Sequence, residues 1–383
     1  LPQFRGVPTG TGRRSILQTK DHAAQECFEL CRRLSEVVMG LRDEIFEQPA
    51  AIRRLLETQH DPVRDVAARI RDHNPSFIYL AARGTSDNAG LYAKYLWGIS
   101  NGLPVALAAP SMFSVFEKPP KIGDSLVVGI SQSGQSPDIV SVIEEGRRQG
   151  ALTLAITNDG DSPLAEAAEL VIDTVAGPEQ AVAATKTYTT QLTAIAMLSA
   201  ALSGDAEQGE WLGRLPSLVE DTLKLDETIR EASSRYRYMD ECVVLGRGFN
   251  YATAYEWALK LKELAYVIAE PYSSADFQHG PVALARQGFP VFAIVPGGPI
   301  DQEIIKLLTE LVEDEKVELL AISNEGSALS LANTPVQLPE RLPEWIAPIP
   351  AIVPAQLFCY HLTRAKGYNT EGPRGLSKVT LTW

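Results

Sequence analysis

The chain has 383 residues, enough to bury a large core and to hold two or three domains. Its apolar share of 45% and charged share of 22% are ordinary for a globular protein, and a formal charge of −13 argues against a general nucleic-acid binder, which needs a basic face. No apolar run approaches the ~18 residues that cross a bilayer, no signal-peptide pattern opens the chain, and four cysteines without a regular framework indicate a reduced compartment, so a cytoplasmic protein without a membrane partner is expected.

Residues 1–38 begin without Met, carry no strand signals and read as an extension with no assigned function. Cys27 and Cys31, four apart, could share a helix face, but no further ligands stand at metal spacing, and no metal site is expected. An amphipathic helix is expected over 39–59, from Leu41, Ile45, Phe46, Ile52, Leu55 and Leu56. The apolar run from Phe77 to Ala82 ends in a glycine turn at Arg83-Gly84, and a helical pattern follows over Ala89–Trp97. Ser125–Ile130 reads as a second strand, Ser131-Gln132-Ser133-Gly134-Gln135-Ser136 as a loop, and Pro137–Gln149 as the next helix. Leu152–Thr157, before Asn158-Asp159-Gly160, reads as a third strand. Leu192–Leu202 reads as a short core helix, and the acidic stretch Ser203–Glu210 as a loop-like junction.

The same layout returns about 164 to 166 residues later. Cys242–Gly248 repeats the strand and glycine turn, and Ala252–Ala265 repeats the helix. Pro290–Val295 and Glu318–Ser323 repeat the next two strands, the latter before Asn324-Glu325-Gly326. Ile346–Tyr360 reads as a proline-interrupted segment. Short apolar strands alternating with helices indicate βαβ units and a parallel sheet. The predicted fold is α/β: two tandem three-layer, doubly wound parallel-sheet domains from an internal duplication. They are expected over 60–210 and 211–366, with a tail, 367–383, folding back as a lid.

In an open parallel sheet, ligands bind beyond the carboxyl ends of the strands. Ser131, Gln132, Ser133 and Ser136 stand at such an end and at a helix N-terminus, where hydroxyls and backbone N–H groups converge on an anion. Gly134 permits close approach of the backbone, and Pro137 suits the first helical turn. A helix cap with surplus serines is the plainer alternative. The matching stretch of the second copy, Pro296-Gly297-Gly298-Pro299-Ile300-Asp301, has no hydroxyl and includes an acid. The fold therefore does not demand the serines, and one phosphate site is expected.

Six motifs in order carry a resemblance: Arg83-Gly84-Thr85-Ser86, Ser131–Ser136, Ala183-Ala184-Thr185-Lys186, Leu259-Lys260-Leu261-Lys262-Glu263, Asp276-Phe277-Gln278-His279-Gly280-Pro281 and Pro373-Arg374-Gly375-Leu376-Ser377-Lys378. Together they resemble the sugar isomerase (SIS) domain family, specifically the isomerase half of glucosamine-6-phosphate synthase and the SIS-type glucosamine-6-phosphate deaminases. The resemblance covers residues 40–383 and implies two flavodoxin-like domains. It implies that Ser131, Gln132, Ser133 and Ser136 bind a sugar 6-phosphate, and that Thr85, Ser86, Val182, Ala184 and Thr185 contact the sugar. Ala184 stands where the synthase motif has Ser, so one hydroxyl contact is missing. Lys260 and Glu263 map to the active-site helix of the second domain.

Aldose–ketose exchange needs a base that moves a proton between C1 and C2, and a partly buried carboxylate suits it because desolvation raises its pKa. Glu263 follows Lys260 by three positions, so both project from one helix face; a surface salt bridge is the alternative. His279 lies in a Gly/Pro-bounded loop, and an ordinary pKa of about 6.5 suits proton exchange with a ring oxygen. The resemblance implies that His279 opens the ring in the neighbouring subunit's site, which makes a homodimer necessary. It implies that Lys378 forms a Schiff base with the ketose; a solvated terminal lysine is the alternative. It implies no metal or organic cofactor, and gives Arg374 a structural or dimer-contact role. The synthase's glutaminase domain has no counterpart in these 383 residues, so glutamine-dependent synthesis is not expected of them. The expected reaction is conversion of glucosamine 6-phosphate to fructose 6-phosphate and ammonia. The alternatives are a synthase-type isomerase, a fructosamine-6-phosphate deglycase and a non-catalytic sugar-phosphate-sensing regulator.

Overall fold

In the computed structural model Gln3, residues 40–339 and residues 341–378 are described. Cys27 and Cys31, and the extension apart from Gln3, lie outside the described residues. Helices α1 (Leu41–Thr58) and α2 (His60–His73) lead into the first sheet. On α1 the apolar positions Leu41, Ile45, Ile52 and Leu55 are fully buried, while Phe46 is exposed. The first half continues through β1 (Phe77–Ala81), α3 (Gly84–Asn101), β2 (Val105–Leu107), α4 (Ser111–Ser114) and β3 (Ser125–Ser131). It closes with α5 (Pro137–Arg148), β4 (Leu152–Thr157), α6 (Pro163–Ala167) and β5 (Leu170–Asp173).

Helices α7 (Lys186–Ser203), α8 (Ala206–Leu223) and α9 (Asp226–Ser234) connect to the second half. There β6 (Glu241–Gly246), α10 (Tyr251–Ala265), β7 (Ile268–Ser273), α11 (Ser274–Gln278) and β8 (Pro290–Val295) come first. Then follow α12 (Asp301–Glu313), β9 (Glu318–Ser323), α13 (Gly326–Leu331), β10 (Thr334–Gln337) and α14 (Pro348–Ala365).

The sheets run β2-β1-β3-β4-β5 and β10-β9-β8-β6-β7, and every pairing is parallel. Counted within its own half, each sheet has the strand order 2-1-3-4-5. β1 and β6, β3 and β8, and β4 and β9 begin 164, 165 and 166 residues apart. The expected doubly wound fold and its duplication are therefore present. Strands β3 and β4 are buried at every position, as helices on both faces require. The order reverses between β1 and β3, which opens a crevice at their carboxyl ends. Ala81 pairs with Gly129, so the turn at Arg83 leaves the sheet beside Ser131.

Two expectations fail locally. Ser203–Glu210 is not a loop: Gly204 ends α7 in the left-handed conformation, and Asp205 caps α8 by accepting the Glu207 N–H at 2.9 Å. Acidic residues at a helix start complement its dipole, so an acidic run there is compatible with helix. Ile346–Tyr360 is not interrupted either, for α14 is continuous. Pro348 and Pro350 fall in its first turn, where the missing N–H costs nothing, and only Pro354 lies inside. The first-copy helix also starts at Gly84 rather than Ala89. Among the described residues no helix is long and apolar enough to cross a membrane.

Candidate active site

The hydroxyl loop occupies the turn between β3 and α5. Ser131 Oγ accepts the Gly134 N–H at 3.1 Å, and Ser133 Oγ accepts the Gln135 N–H at 3.3 Å. Gly134 has φ +62°, and a Cβ there would lie 2.0 Å from Ser162 Oγ, so the tight turn demands glycine. Ser136 is the N-cap residue of α5, yet its side chain makes no cap hydrogen bond. That weighs against serines serving merely as helix caps. The counterpart loop of the second half instead leads into Asp301, a buried acid.

A cavity of about 290 Å³ opens beside this loop. The loop contributes Ser131, Gln132, Ser133 and Ser136, and the turn after β1 contributes Arg83, Thr85 and Ser86. Val182 and Ala184 come from the segment before α7, Lys260 and Glu263 from α10, and Leu376, Ser377 and Lys378 from the tail. Ser86 is fixed by Gln191 of α7, whose Nε2 donates to its Oγ at 3.0 Å. A larger groove of about 1140 Å³ beside α2 and α8 holds none of the expected site residues.

On α10, Lys260 is almost fully buried. Its Nζ lies 2.5 Å from Glu263 Oε2 and 3.4 Å from Glu256 Oε1. Glu256, which sequence reasoning missed, is completely buried. It accepts hydrogen bonds from Thr85 Oγ1 at 3.1 Å and Asn88 Nδ2 at 2.7 Å, both on α3. Burial pushes the Glu256 carboxyl up to about 7, against the lowering pull of Lys260 and Asn88. Burial also opposes the Lys260 charge, but Glu256 and Glu263 outweigh it and hold the ammonium pKa above its ordinary value. The arrangement places a cation between two carboxyls, and of the three groups Lys260 and Glu263 line the cavity. The signal available was the i,i+4 spacing of Glu256 and Lys260.

Lys378 is not a freely solvated lysine. Lys378 Nζ donates to Glu179 Oε2 at 2.7 Å, and the Glu179 side chain is fully buried. Glu179 also accepts from the Thr185 N–H at 2.9 Å, the Thr187 N–H at 3.1 Å and Thr187 Oγ1 at 2.8 Å. Burial pushes its pKa up, but Lys378 and these donors outweigh it and leave the carboxyl below its usual range. Lys378→Met is expected to release the tail, because a buried carboxylate stripped of its partner costs about 3–5 kcal/mol. Limited proteolysis should then cut within 367–378 in the variant and spare the wild type; equal protection would contradict the contact.

Two expected residues stand elsewhere. Thr185 lies behind the cavity wall: its N–H is taken by Glu179, and its Oγ1 is buried without a partner. The chain turns into α7 at this point, and the side chain is not among those lining the cavity. His279 is exposed at the C-terminal end of α11, after edge strand β7, and does not line the cavity either.

The SIS domain pattern matches residues 73–201 and again residues 239–363. The chain belongs to the SIS domain family. It is 35% identical over 346 residues to glutamine–fructose-6-phosphate aminotransferase (isomerizing) of Thermococcus kodakarensis, covering 88% of this chain and 56% of that protein. The chain thus spans just over half the length of the curated relatives it matches. The C-terminal domain of glucosamine-fructose-6-phosphate aminotransferase from Francisella tularensis superposes with a TM-score of 0.78 at 28% identity, covering 87% of this chain and 98% of that one. A glucosamine-6-phosphate deaminase from Thermotoga maritima, at a TM-score of 0.71 and 20% identity over 89% of this chain and 99% of that one, shares the fold.

The two SIS segments contribute differently to one cavity. The first supplies the hydroxyl loop, Thr85 and Ser86, whereas the second supplies Lys260 and Glu263. Among the described residues the Glu256 carboxylate, in the second SIS segment, accepts hydrogen bonds from Thr85 and Asn88 of the first, besides its contact with Lys260.

Proposed function

We propose that this chain converts glucosamine 6-phosphate to fructose 6-phosphate and ammonia. The observation that carries the reading is one cavity lined by an anion cradle, Ser131–Ser136, and by Lys260 and Glu263 of α10, with the buried Glu256 carboxyl behind Lys260. In this reading the cradle holds the phosphate and leaves the carbonyl end of the sugar at α10. His279, supplied by the neighbouring subunit of a homodimer, opens the ring. Glu263 takes the proton from C2 and delivers it to C1, while Lys260 balances the charge on the carboxylate. The resulting C2 imine takes up water and loses ammonia. Lys378 closes the site and faces the carbonyl, though its Schiff-base role requires it first to give up a proton. A cytoplasmic location and domain limits of 60–210 and 211–366 belong to the same reading.

A second reading is the isomerase half of an aminotransferase, with the same groups acting on fructose 6-phosphate and delivered ammonia. Its support is the 35% identity to such a relative. A panel of glucosamine, galactosamine, fructose and fructosamine-adduct 6-phosphates, with ammonia and ketose measured together, tests both. Stoichiometric ammonia and fructose 6-phosphate from glucosamine 6-phosphate is the expected result. Isomerisation without ammonia release favours the second reading. Ammonia or amine release from the fructosamine adduct alone would make the chain a deglycase. Turnover of none of the four would sink every enzymatic reading in favour of a sugar-phosphate sensor.

A further inference from the structure

Among the described residues three cationic side chains line the cavity: Arg83, Lys260 and Lys378. Lys260 is matched by Glu256 and Glu263, and Lys378 by Glu179. Arg83 is also ion-paired, with Asp138, but through its Nε alone. It directly precedes α3, and the register of β1 against β3 sets it beside Ser131. Its Nε donates to Asp138 Oδ2 at 2.9 Å. Asp138 is the second residue of α5 and wholly buried, and its other oxygen accepts the Ile139 N–H at 3.0 Å. The Arg83 side chain keeps 49% of its surface exposed, and among the described residues neither of its Nη groups donates to a protein acceptor.

We propose that Arg83 is the charged member of the phosphate subsite, with Asp138 as its positioning residue. One carboxylate oxygen holds the guanidinium by Nε, which leaves both Nη donors to a ligand in the cradle. This rests on the sugar-phosphate reading above and deepens it by naming the group recognised, a phosphate monoester dianion. The physical need is clear. Hydroxyls are neutral and a helix N-terminus carries only about half a charge, whereas the ester carries nearly two negative charges above its second pKa of about 6. Asp138, buried in the first turn of the same helix, and Asp87, one turn into α3, both add negative charge nearby. Without a cation at this end the charge of the dianion would go unopposed beside these carboxylates. A guanidinium fork matches phosphate oxygens in a way that a lysine point charge does not.

Calorimetric binding of glucitol 6-phosphate, an open-chain ligand with no carbonyl to turn over, tests the assignment. Wild type should bind it more tightly than glucitol. Arg83→Gln should weaken binding of the phosphate ester by about tenfold to a hundredfold, the usual effect of losing a charged hydrogen bond. Its affinity should also lose most of its dependence on salt. Arg83→Lys should fall between, and Asp138→Asn should weaken binding less than Arg83→Gln, both at unchanged melting temperature. Binding by Arg83→Gln and Arg83→Lys within twofold of wild type, alongside weakened binding by Ser133→Ala, would overturn the role of Arg83 and leave the cradle standing. Failure of the wild type to bind would overturn the sugar-phosphate reading, and this one with it.

Discussion

Glu263→Gln is expected to lower ammonia release from glucosamine 6-phosphate by about two to four orders of magnitude, the usual worth of a positioned general base. The amide keeps the shape of the side chain but cannot accept the C2 proton. Lys260 retains Glu256 at 3.4 Å, so the buried ammonium is not stranded and the helix should hold. The loss should therefore appear in kcat with little change in KM, the signature of an interaction made in the transition state alone. Exchange of the C2 hydrogen with D2O, followed by NMR, isolates the same step without product release. Exchange that persists within tenfold of wild type would move the base from Glu263 to another group, and Glu256 would be the first to test.

Glu256→Gln should flatten the dependence of stability on pH between about 4.5 and 7. In the folded chain burial pushes the Glu256 carboxyl from 4.5 to about 7. Between those values the folded state holds a proton that the unfolded state has released, so raising the pH through this window favours unfolding. The stabilisation is complete below about 4.5 and lost as pH passes 7. At 1.36 kcal/mol per pKa unit it amounts to about 3 kcal/mol. Lys260 does not change the slope in this window, since the stability from a raised ammonium pKa is constant at these pH values and is lost only at alkaline pH. Glu44 on α1 is also pushed up to about 7 by burial and acts with the same sign. The difference between wild type and variant, from urea midpoints across pH 4.5–8, isolates Glu256. Parallel curves would show that its proton affinity is not perturbed by folding.

Much of the fold is legible because strands covered on both faces leave a continuous apolar trace. Phe77–Ala81, Ser125–Ser131 and Leu152–Thr157 stand out in this way, and each recurs at a nearly constant offset. The hydroxyl loop and the Lys260–Glu263 pair are local in sequence, so spacing finds them. Glu256 is different. Its hydrogen-bond donors, Thr85 and Asn88, lie 171 and 168 residues away, and on its own helix only the i,i+4 spacing to Lys260 sets it apart from any polar position. Glu179 is hidden for the same reason, with Lys378 arriving from 199 residues downstream. His279 shows the converse limit: its loop is recognisable, but within one chain it is exposed and away from the cavity. The acidic start of α8 misleads because helix dipoles reward the residues that loops also favour.

The division of one cavity between repeated halves has an evolutionary consequence. At 164 residues before Glu256, Lys260 and Glu263, helix α3 carries Tyr92, Leu96 and Ile99, with neither a carboxylate nor an amine among them. The second half in turn has no hydroxyl at Pro296–Asp301. The copies have become specialists, and neither can replace the other despite a common strand order. Unequal recombination between them would join two hydroxyl loops, or two copies of the Glu256–Lys260–Glu263 helix, into a chain without this shared cavity. Selection on this protein therefore acts on the pair as a single locus of function, and drift in either copy is constrained by the other.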